Sequence, residues 1–212
     1  MSEPAGTMVL MTSEQEHYFS ADPSAPFKRE PLEVEAWGQR YDALSGAGVF
    51  SRGHLDHGTA VLFRETTAPR SGHLLDLGCG WGPIGLTAAL ASPQVQVTGV
   101  DVNERALLLA NENAAALGVA ERFRAVLPEA VDPDLRFDEI WSNPPIRIGK
   151  AALHELLLTW LPRLGGDGRA VMVVGKNLGA DSLQRWLTEQ GFPTSRLASA
   201  KGFRILESRV AR

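Results

Sequence analysis

From His73 onward the chain alternates short apolar runs with longer amphipathic stretches. Leu74–Leu77, Val95–Val100, Phe123–Leu127, Asp138–Ser142 and Arg169–Val174 are compact and rich in Val, Leu and Ile, and each reads as a buried strand. Helical patterns fill the gaps. Pro83–Ala91 has a proline in its first turn, where a missing N–H leaves no bond unmade. Asn103 caps a helix running to about Leu117, which Gly118 stops. Ala151–Leu161 and Ala180–Gln190 are two more helices, and strands at Thr194–Ala198 and Phe203–Arg209 close the chain. Repeated strand–helix alternation predicts an α/β fold with a doubly wound, mostly parallel sheet.

Before His73 the pattern differs. Leu32–Trp37 and Arg40–Leu44 alternate apolar and polar positions about Gly38-Gln39, which predicts an N-terminal β-hairpin. Gly46–Gly58 reads as a loop carrying glycine and histidine, and Thr59–Thr67 as a helix. Met1–Ser13 lacks the basic and apolar regions of a signal peptide, so residues 1–16 are expected to be a disordered lead-in. The remaining residues, 17–212, form one domain: hairpin and loop over 17–58, layered core over 59–212.

Two strand ends carry candidate chemistry. The first strand runs into Asp76-Leu-Gly78-Cys-Gly80-Trp-Gly82-Pro-Ile-Gly85, a loop whose glycines let backbone approach a ligand closely. Asp101 ends the next strand 21 residues after Gly80, where a carboxylate can accept hydrogen bonds from both hydroxyls of an adenosine ribose. Gly80-Trp-Gly82-Pro-Ile-Gly85 also fits the dinucleotide fingerprint, so the loop alone is ambiguous. Asp76, inside the strand, suits a cofactor with a cationic amino-acid end better than a pyrophosphate. Asn143-Pro144-Pro145-Ile146 then ends the fourth strand. Neither proline has an N–H for the sheet. The turn is stiff, and it offers the Asn143 side-chain oxygen and the Pro144 carbonyl as a pair of acceptors. Two acceptors on a rigid corner can hold an NH2 group with its lone pair directed at an electrophile. The two motifs together point to S-adenosylmethionine and to methyl transfer onto an amine or amide nitrogen.

At Asp76–Gly85, Asp101 and Asn143–Pro145 the chain resembles class I S-adenosylmethionine-dependent methyltransferases of the small-domain group, which includes bacterial small-subunit ribosomal RNA guanine-N2 methyltransferases. Gly48-Val49-Phe50-Ser51-Arg52 and Leu55-Asp56-x-Gly58-Thr59 resemble the segment that precedes their cofactor loop, so the similarity spans roughly residues 17–210. The resemblance implies a Rossmann-like seven-stranded sheet whose last strand is antiparallel. It implies a cofactor held by Asp76, Gly78, Cys79, Gly80, Gly82, Asp101, Val102, Glu129 and Asn143, with Asn143, Pro144 and Pro145 as the catalytic turn. Phe50, Ile146, Arg147, Lys150 and Lys176 fall on the substrate side. The chain departs from the group in three ways. Ile146 stands where base-modifying members have an aromatic residue, and Phe50 is the candidate to replace it. The third strand ends in Leu127-Pro128-Glu129, which leaves Glu129 to meet the adenine amine. The second, degenerate half of the larger ribosomal enzymes has no counterpart.

The net charge of −4 conceals an uneven distribution: residues 141–212 carry 11 basic and 5 acidic side chains, while residues 71–140 carry 4 and 10. A basic surface that begins at the Asn-Pro-Pro turn suits a polyanion such as ribosomal RNA or the small ribosomal subunit. No apolar run reaches membrane-span length. Cys79 is the sole cysteine, which excludes an internal disulfide and a cysteine-based zinc site and makes a cytoplasmic location the default. His54-x-Asp56-His57 has no further ligand nearby and reads as loop packing or substrate contact, with no metal. Trp141, Trp160 and Trp186 read as core, while Trp81 could flank the cofactor or cover the sheet. The expected function is N2-methylation of a guanine in small-subunit ribosomal RNA. A protein glutamine-N5 methyltransferase and a weakly catalytic, cofactor-binding RNA or ribosome assembly factor stand as alternatives.

Overall fold

The computed structural model describes residues 28–49, 51, 53–145 and 148–211, so the expected lead-in and Phe50, Ile146 and Arg147 lie outside the described residues. A two-stranded antiparallel sheet, β1 (Arg29–Ala36) with β2 (Gln39–Gly46), precedes helix α1 (His57–Glu65). Then follow β3 (Gly72–Leu77), α2 (Pro83–Ala91), β4 (Val95–Val100), α3 (Glu104–Ala116), β5 (Phe123–Val126) and β6 (Phe137–Ser142). The chain closes with α4 (Lys150–Trp160), β7 (Leu164–Gly175), α5 (Ala180–Glu189), β8 (Thr194–Ala200) and β9 (Phe203–Arg209). The main sheet has seven strands in the order β5-β4-β3-β6-β7-β9-β8. Its pairings are parallel from β5 to β7, and β9 runs antiparallel to both β7 and β8. This is the doubly wound, Rossmann-like sheet with an antiparallel last strand, carrying an N-terminal hairpin.

Side-chain alternation sorts the core onto two faces. Leu74, Val97, Phe123, Trp141, Val171 and Ile205 point to the face covered by α1, α2, α3 and the hairpin. Leu75, Leu77, Val100, Ile140, Met172, Val174 and Leu206 point to the face covered by α4 and α5. The central strands are apolar at successive positions because both faces are covered. Helix α2 is buried nearly all round, since the hairpin lies outside it: Tyr41 and Thr87 share a hydroxyl hydrogen bond of 2.8 Å. Asn113 on α3 fastens the edge of the hairpin as a neighbouring strand would. Its Oδ1 accepts from Leu44 N at 2.8 Å, and its Nδ2 donates to Leu44 O at 2.9 Å.

Three local expectations shift. The hairpin turns at Trp37-Gly38, one residue earlier than the sequence suggests, because Ala36 pairs with Gln39. Trp37 and Gly38 have φ of 49° and 76°, the doubly left-handed pattern that matches strand twist. The left-handed conformation costs a non-glycine residue roughly 1–2 kcal/mol. Trp37 offsets this by packing edge-on against Phe63 at 4.8 Å and Trp141 at 5.1 Å and by donating Nε1–H to Thr66 O at 3.1 Å. Strand β7 begins at Leu164, before the expected Arg169, because Gly165, Gly166 and Gly168 lie within the extended segment. Trp141 and Trp160 are core as expected, whereas Trp186 is only partly buried and stacks on His154 with ring centres 3.4 Å apart.

Candidate active site

Strand order reverses on either side of β3 and β6, and in such sheets the crevice for a ligand opens at the carboxyl ends of the strands. These two strands end in the glycine loop and the Asn-Pro-Pro turn. They pair in register, Asp76 opposite Trp141, so the two motifs leave the sheet side by side. Ser142 Oγ donates to Leu77 O at 2.7 Å and ties the strand ends together. A methyl group built on Gly78 would lie 3.8 Å from Pro145 Cδ, so the proline corner faces the glycine loop.

The loop is held from below. Gly78 N and Cys79 N both donate to Val100 O, at 2.8 and 2.9 Å. Gly78, Gly80 and Gly82 all lie at positive φ (72°, 55° and 93°). Gly85 allows α2 to lie on the sheet, since a Cβ there would stand 2.7 Å from the Phe123 ring and 2.8 Å from Val97. Asp76 is fully buried. Its Oδ2 accepts from Gly85 N at 2.8 Å, while its Oδ1 has no protein partner. Burial pushes its carboxyl up to about 7, against the pull of the Gly85 amide and with a further push from Asp101. Asp101 accepts from Gly80 N on Oδ2 and from Asn103 N on Oδ1, both at 2.9 Å. Burial raises its carboxyl too, opposed by the backbone amides of Asn103, Gly80 and Val102. Asn103 caps α3 through Oδ1 and donates Nδ2–H to Gly48 O at 2.7 Å, which brings the Gly48 segment against the site.

Cys79 is buried beneath the loop against Gly99, and burial holds its thiol well above the ordinary range, with Asp101 and Asp76 adding to the push. A thiol so placed packs and does not react. Trp81 is 1 % exposed, and its carbonyl accepts from Asn113 Nδ2 at 3.1 Å, so it belongs to the layer beneath the site. Val102 projects with 54 % of its surface exposed, and Glu129 is exposed on the single turn after β5. Lys150 and Lys176, the first residues after Gly149 and Gly175, are exposed at the same end of the sheet.

Asn143 is the junction of the site. Its Nδ2 donates to Asp56 Oδ2 at 2.7 Å and to Thr59 Oγ1 at 3.0 Å, both at the start of α1. Both amide hydrogens are thereby used. Among the described residues no group donates to Asn143 Oδ1 or to the Pro144 carbonyl, whereas Pro145 O accepts from Ile148 N at 3.0 Å. Asp56 and Thr59, which the sequence offers only as part of the segment before the cofactor loop and, for Asp56, as loop packing or substrate contact, join the site, and so does the half-buried Phe203, whose ring borders Gly58 and which carries no signal in the sequence. Asp56 three residues before Thr59 carries a local helix-cap signal, but its partner lies 87 residues away.

The residues present fit S-adenosylmethionine. The orphaned buried oxygen of Asp76 matches a cationic amino group, and a carboxylate such as Asp101 keeps lone pairs for a ribose diol after accepting two amides. Val102 offers an apolar surface beside it for a flat base. The bound cofactor supplies a methyl group already activated by sulfonium charge.

A glycine loop at the end of β3, an acid at the end of β4 and an Asn-Pro-Pro turn at the end of β6 define a Rossmann-like S-adenosylmethionine-dependent methyltransferase. Residues 40–207 match the Methyltransferase small domain family, and the chain belongs to it. Protein YbxB of Bacillus subtilis (strain 168), itself uncharacterized, is 33% identical over 197 residues, covering 92% of this chain and 98% of YbxB. Ribosomal RNA small subunit methyltransferase C of Pseudomonas entomophila (strain L48) is 33% identical over 190 residues, covering 85% of this chain. The aligned region is 52% of that enzyme, so the chain spans about half the length of that relative. Among solved structures, the 16S rRNA N2 methyltransferase of T. thermophilus in complex with AdoMet and guanosine superposes with a TM-score of 0.74 at 23% identity, covering 90% of this chain and 52% of that one. No helix among the described residues is long and apolar enough to cross a membrane.

Proposed function

We propose that the chain methylates the exocyclic N2 amine of a guanine in small-subunit ribosomal RNA. The observation that carries this is the pair of acceptors at the corner: Asn143 Oδ1, left free because the amide hydrogens are committed elsewhere, and the Pro144 carbonyl. Guanine N2 is a poor nucleophile because its lone pair is delocalised into the ring. Hydrogen bonds from its two N–H groups to these oxygens favour a pyramidal nitrogen. They also stabilise the positive charge that develops as the bond to carbon forms. No strong base is needed before attack, since the amine becomes acidic only during the transfer.

Three further observations support RNA. Lys150, Lys176 and Lys201 are exposed, and among the described residues none pairs with a carboxylate. Lys176 N donates to Gly202 O at 2.8 Å, which places the Lys201 turn at the same end of the sheet as the site. On β8 and β9, Arg196 and Arg204 share Asp181. Lys150, Lys176 and Lys201 are thus exposed cations, unpaired among the described residues, that can meet phosphates at this end of the sheet. Phe203 offers an aromatic ring beside the first turn of α1. A relative is named for small-subunit ribosomal RNA methylation, and a structural neighbour holds guanosine.

The test is incubation with labelled S-adenosylmethionine and, separately, isolated small ribosomal subunits, naked ribosomal RNA and release factors, with the product identified by mass spectrometry. N2-methylguanosine in RNA is the expected product. Methylglutamine in a release factor would replace this reading. Asn143→Ala should keep cofactor affinity and lower turnover by about tenfold or more.

A further inference from the structure

We infer that Asp56 is a positioning residue that sets which end of the Asn143 amide faces the substrate. The inference rests on the proposed reaction at the Asn143 corner and specifies how that corner is prepared. An asparagine amide has two nearly isosteric ends, and only its oxygen can accept an N–H from an amine. Nothing in the Asn-Pro-Pro turn itself selects between them. Asp56 does. Its carboxylate only accepts, and its Oδ2 takes Thr59 N at 3.0 Å and Asn143 Nδ2 at 2.7 Å. Reversing the Asn143 amide would set Oδ1 against Asp56 Oδ2, replacing a charge-assisted hydrogen bond with the repulsion of two oxygens. Thr59 Oγ1, 3.0 Å from Nδ2 and on a residue 2 % exposed, takes the second amide hydrogen. The NH2 end is thus fixed toward α1.

The close approach is built into α1. A Cβ on Gly58 would stand 2.9 Å from Asp56 Oδ2, 3.2 Å from Phe203 Cε1 and 3.4 Å from Asn143 Nδ2. A side chain at this position would press on the hydrogen-bonded pair, so glycine lets the cap of α1 and the corner of β6 meet. Asp56 therefore has a local task, capping the helix, and a remote one, orienting Asn143.

The two tasks separate by substitution. Asp56→Ser keeps an oxygen for Thr59 N but shortens the side chain and withdraws it from Asn143. Asp56→Asn can place its own carbonyl oxygen where Oδ2 stood and accept from both donors. With labelled S-adenosylmethionine and isolated small ribosomal subunits, Asp56→Ser should lower kcat by about tenfold with KM and cofactor Kd changed less than about threefold. Asp56→Asn should recover most of that loss, although both variants cap the helix. A purely structural Asp56 predicts instead that kcat follows melting temperature across the two variants. The second readout needs no substrate. In nitrogen-15 spectra the Asn143 side-chain NH2, assigned from its absence in Asn143→Ala, should exchange slowly in the wild type and in Asp56→Asn, and rapidly in Asp56→Ser. An NH2 signal unmoved in Asp56→Ser overturns the inference. Wild-type protein that methylates no RNA, with the NH2 signal shifting as stated, overturns the proposed substrate and leaves the clamp standing.

Discussion

Replacing Asp76 with asparagine should stabilise the cofactor-free protein and weaken its hold on S-adenosylmethionine. Asp76 is completely buried, and one of its oxygens has no partner. Its carboxyl moves from 3.8 to about 7, chiefly through burial. At about 1.4 kcal/mol per tenfold in proton affinity, keeping the charge at pH 8 costs the folded state about 4 kcal/mol. The folded protein binds the proton more tightly than the unfolded chain does. The protonated carboxyl's contribution to stability is therefore fully present below pH 4. It is lost progressively as pH rises from about 4 to about 7. The amide introduced by Asp76→Asn carries no charge and loses none of this. If about half the penalty is recovered, the gain of about 2 kcal/mol raises Tm by roughly 4–8 °C in a domain of this size.

Cofactor binding should move oppositely. A cationic amino group next to Asp76 Oδ1 favours the ionised form, so wild-type affinity should strengthen as pH rises through 7, with proton release on binding. Asp76→Asn removes a hydrogen bond to a charged partner, about 1.5–3 kcal/mol, or roughly tenfold to a hundredfold in Kd. Scanning calorimetry from pH 5 to 8 and titration calorimetry in buffers of different ionisation enthalpy measure both effects. A Tm difference that fails to grow with pH refutes the raised carboxyl, and a variant that binds the cofactor as tightly as wild type refutes the assignment of the orphaned oxygen to the cofactor.

Two further outcomes follow from the geometry. Gly85→Ala drives a methyl group into Phe123 and Val97, so it should lower Tm by an amount corresponding to about 1–3 kcal/mol in thermal denaturation. A Tm unchanged by the substitution would mean that α2 lies farther from the sheet than these distances require. Replacing Lys150, Lys176 and Lys201 together with glutamate should abolish most RNA retention while leaving cofactor Kd unchanged. Filter binding across a salt series should show a shallower dependence, by roughly 0.7–0.9 for each phosphate no longer neutralised. An unchanged slope would place the RNA on another face.

What the sequence reveals about this molecule divides by the range of the forces involved. The glycine loop and the Asn-Pro-Pro turn announce themselves because each ends a strand by local backbone chemistry. The βα alternation then brings β3 and β6 together, so their meeting could be anticipated from the chain. The start of β7 is hidden because Gly165, Gly166 and Gly168 remove the apolar signal, while the backbone nonetheless extends: Gly168 passes so near β6 that a Cβ would lie 3.0 Å from Asp138 O. The hairpin register is displaced because left-handed φ at Trp37 is stabilised by Phe63, Trp141 and Thr66, none of them in the hairpin.

Asp56 shows the limit most sharply. In the sequence it belongs to His54-x-Asp56-His57, a run that reads as loop packing or substrate contact; in the fold it caps α1, which accounts for one hydrogen bond to one of its oxygens. A carboxylate oxygen accepts more than one donor, so a satisfied local role does not exhaust it. The second donor, Asn143, arrives because α1 packs across β7 and β9 and brings its first turn to the corner that ends β6. Capping residues at helix starts that border the carboxyl ends of a parallel sheet are therefore placed to do two things at once. Asp56→Ser against Asp56→Asn separates them, because the helix tolerates either side chain and the Asn143 amide tolerates only one.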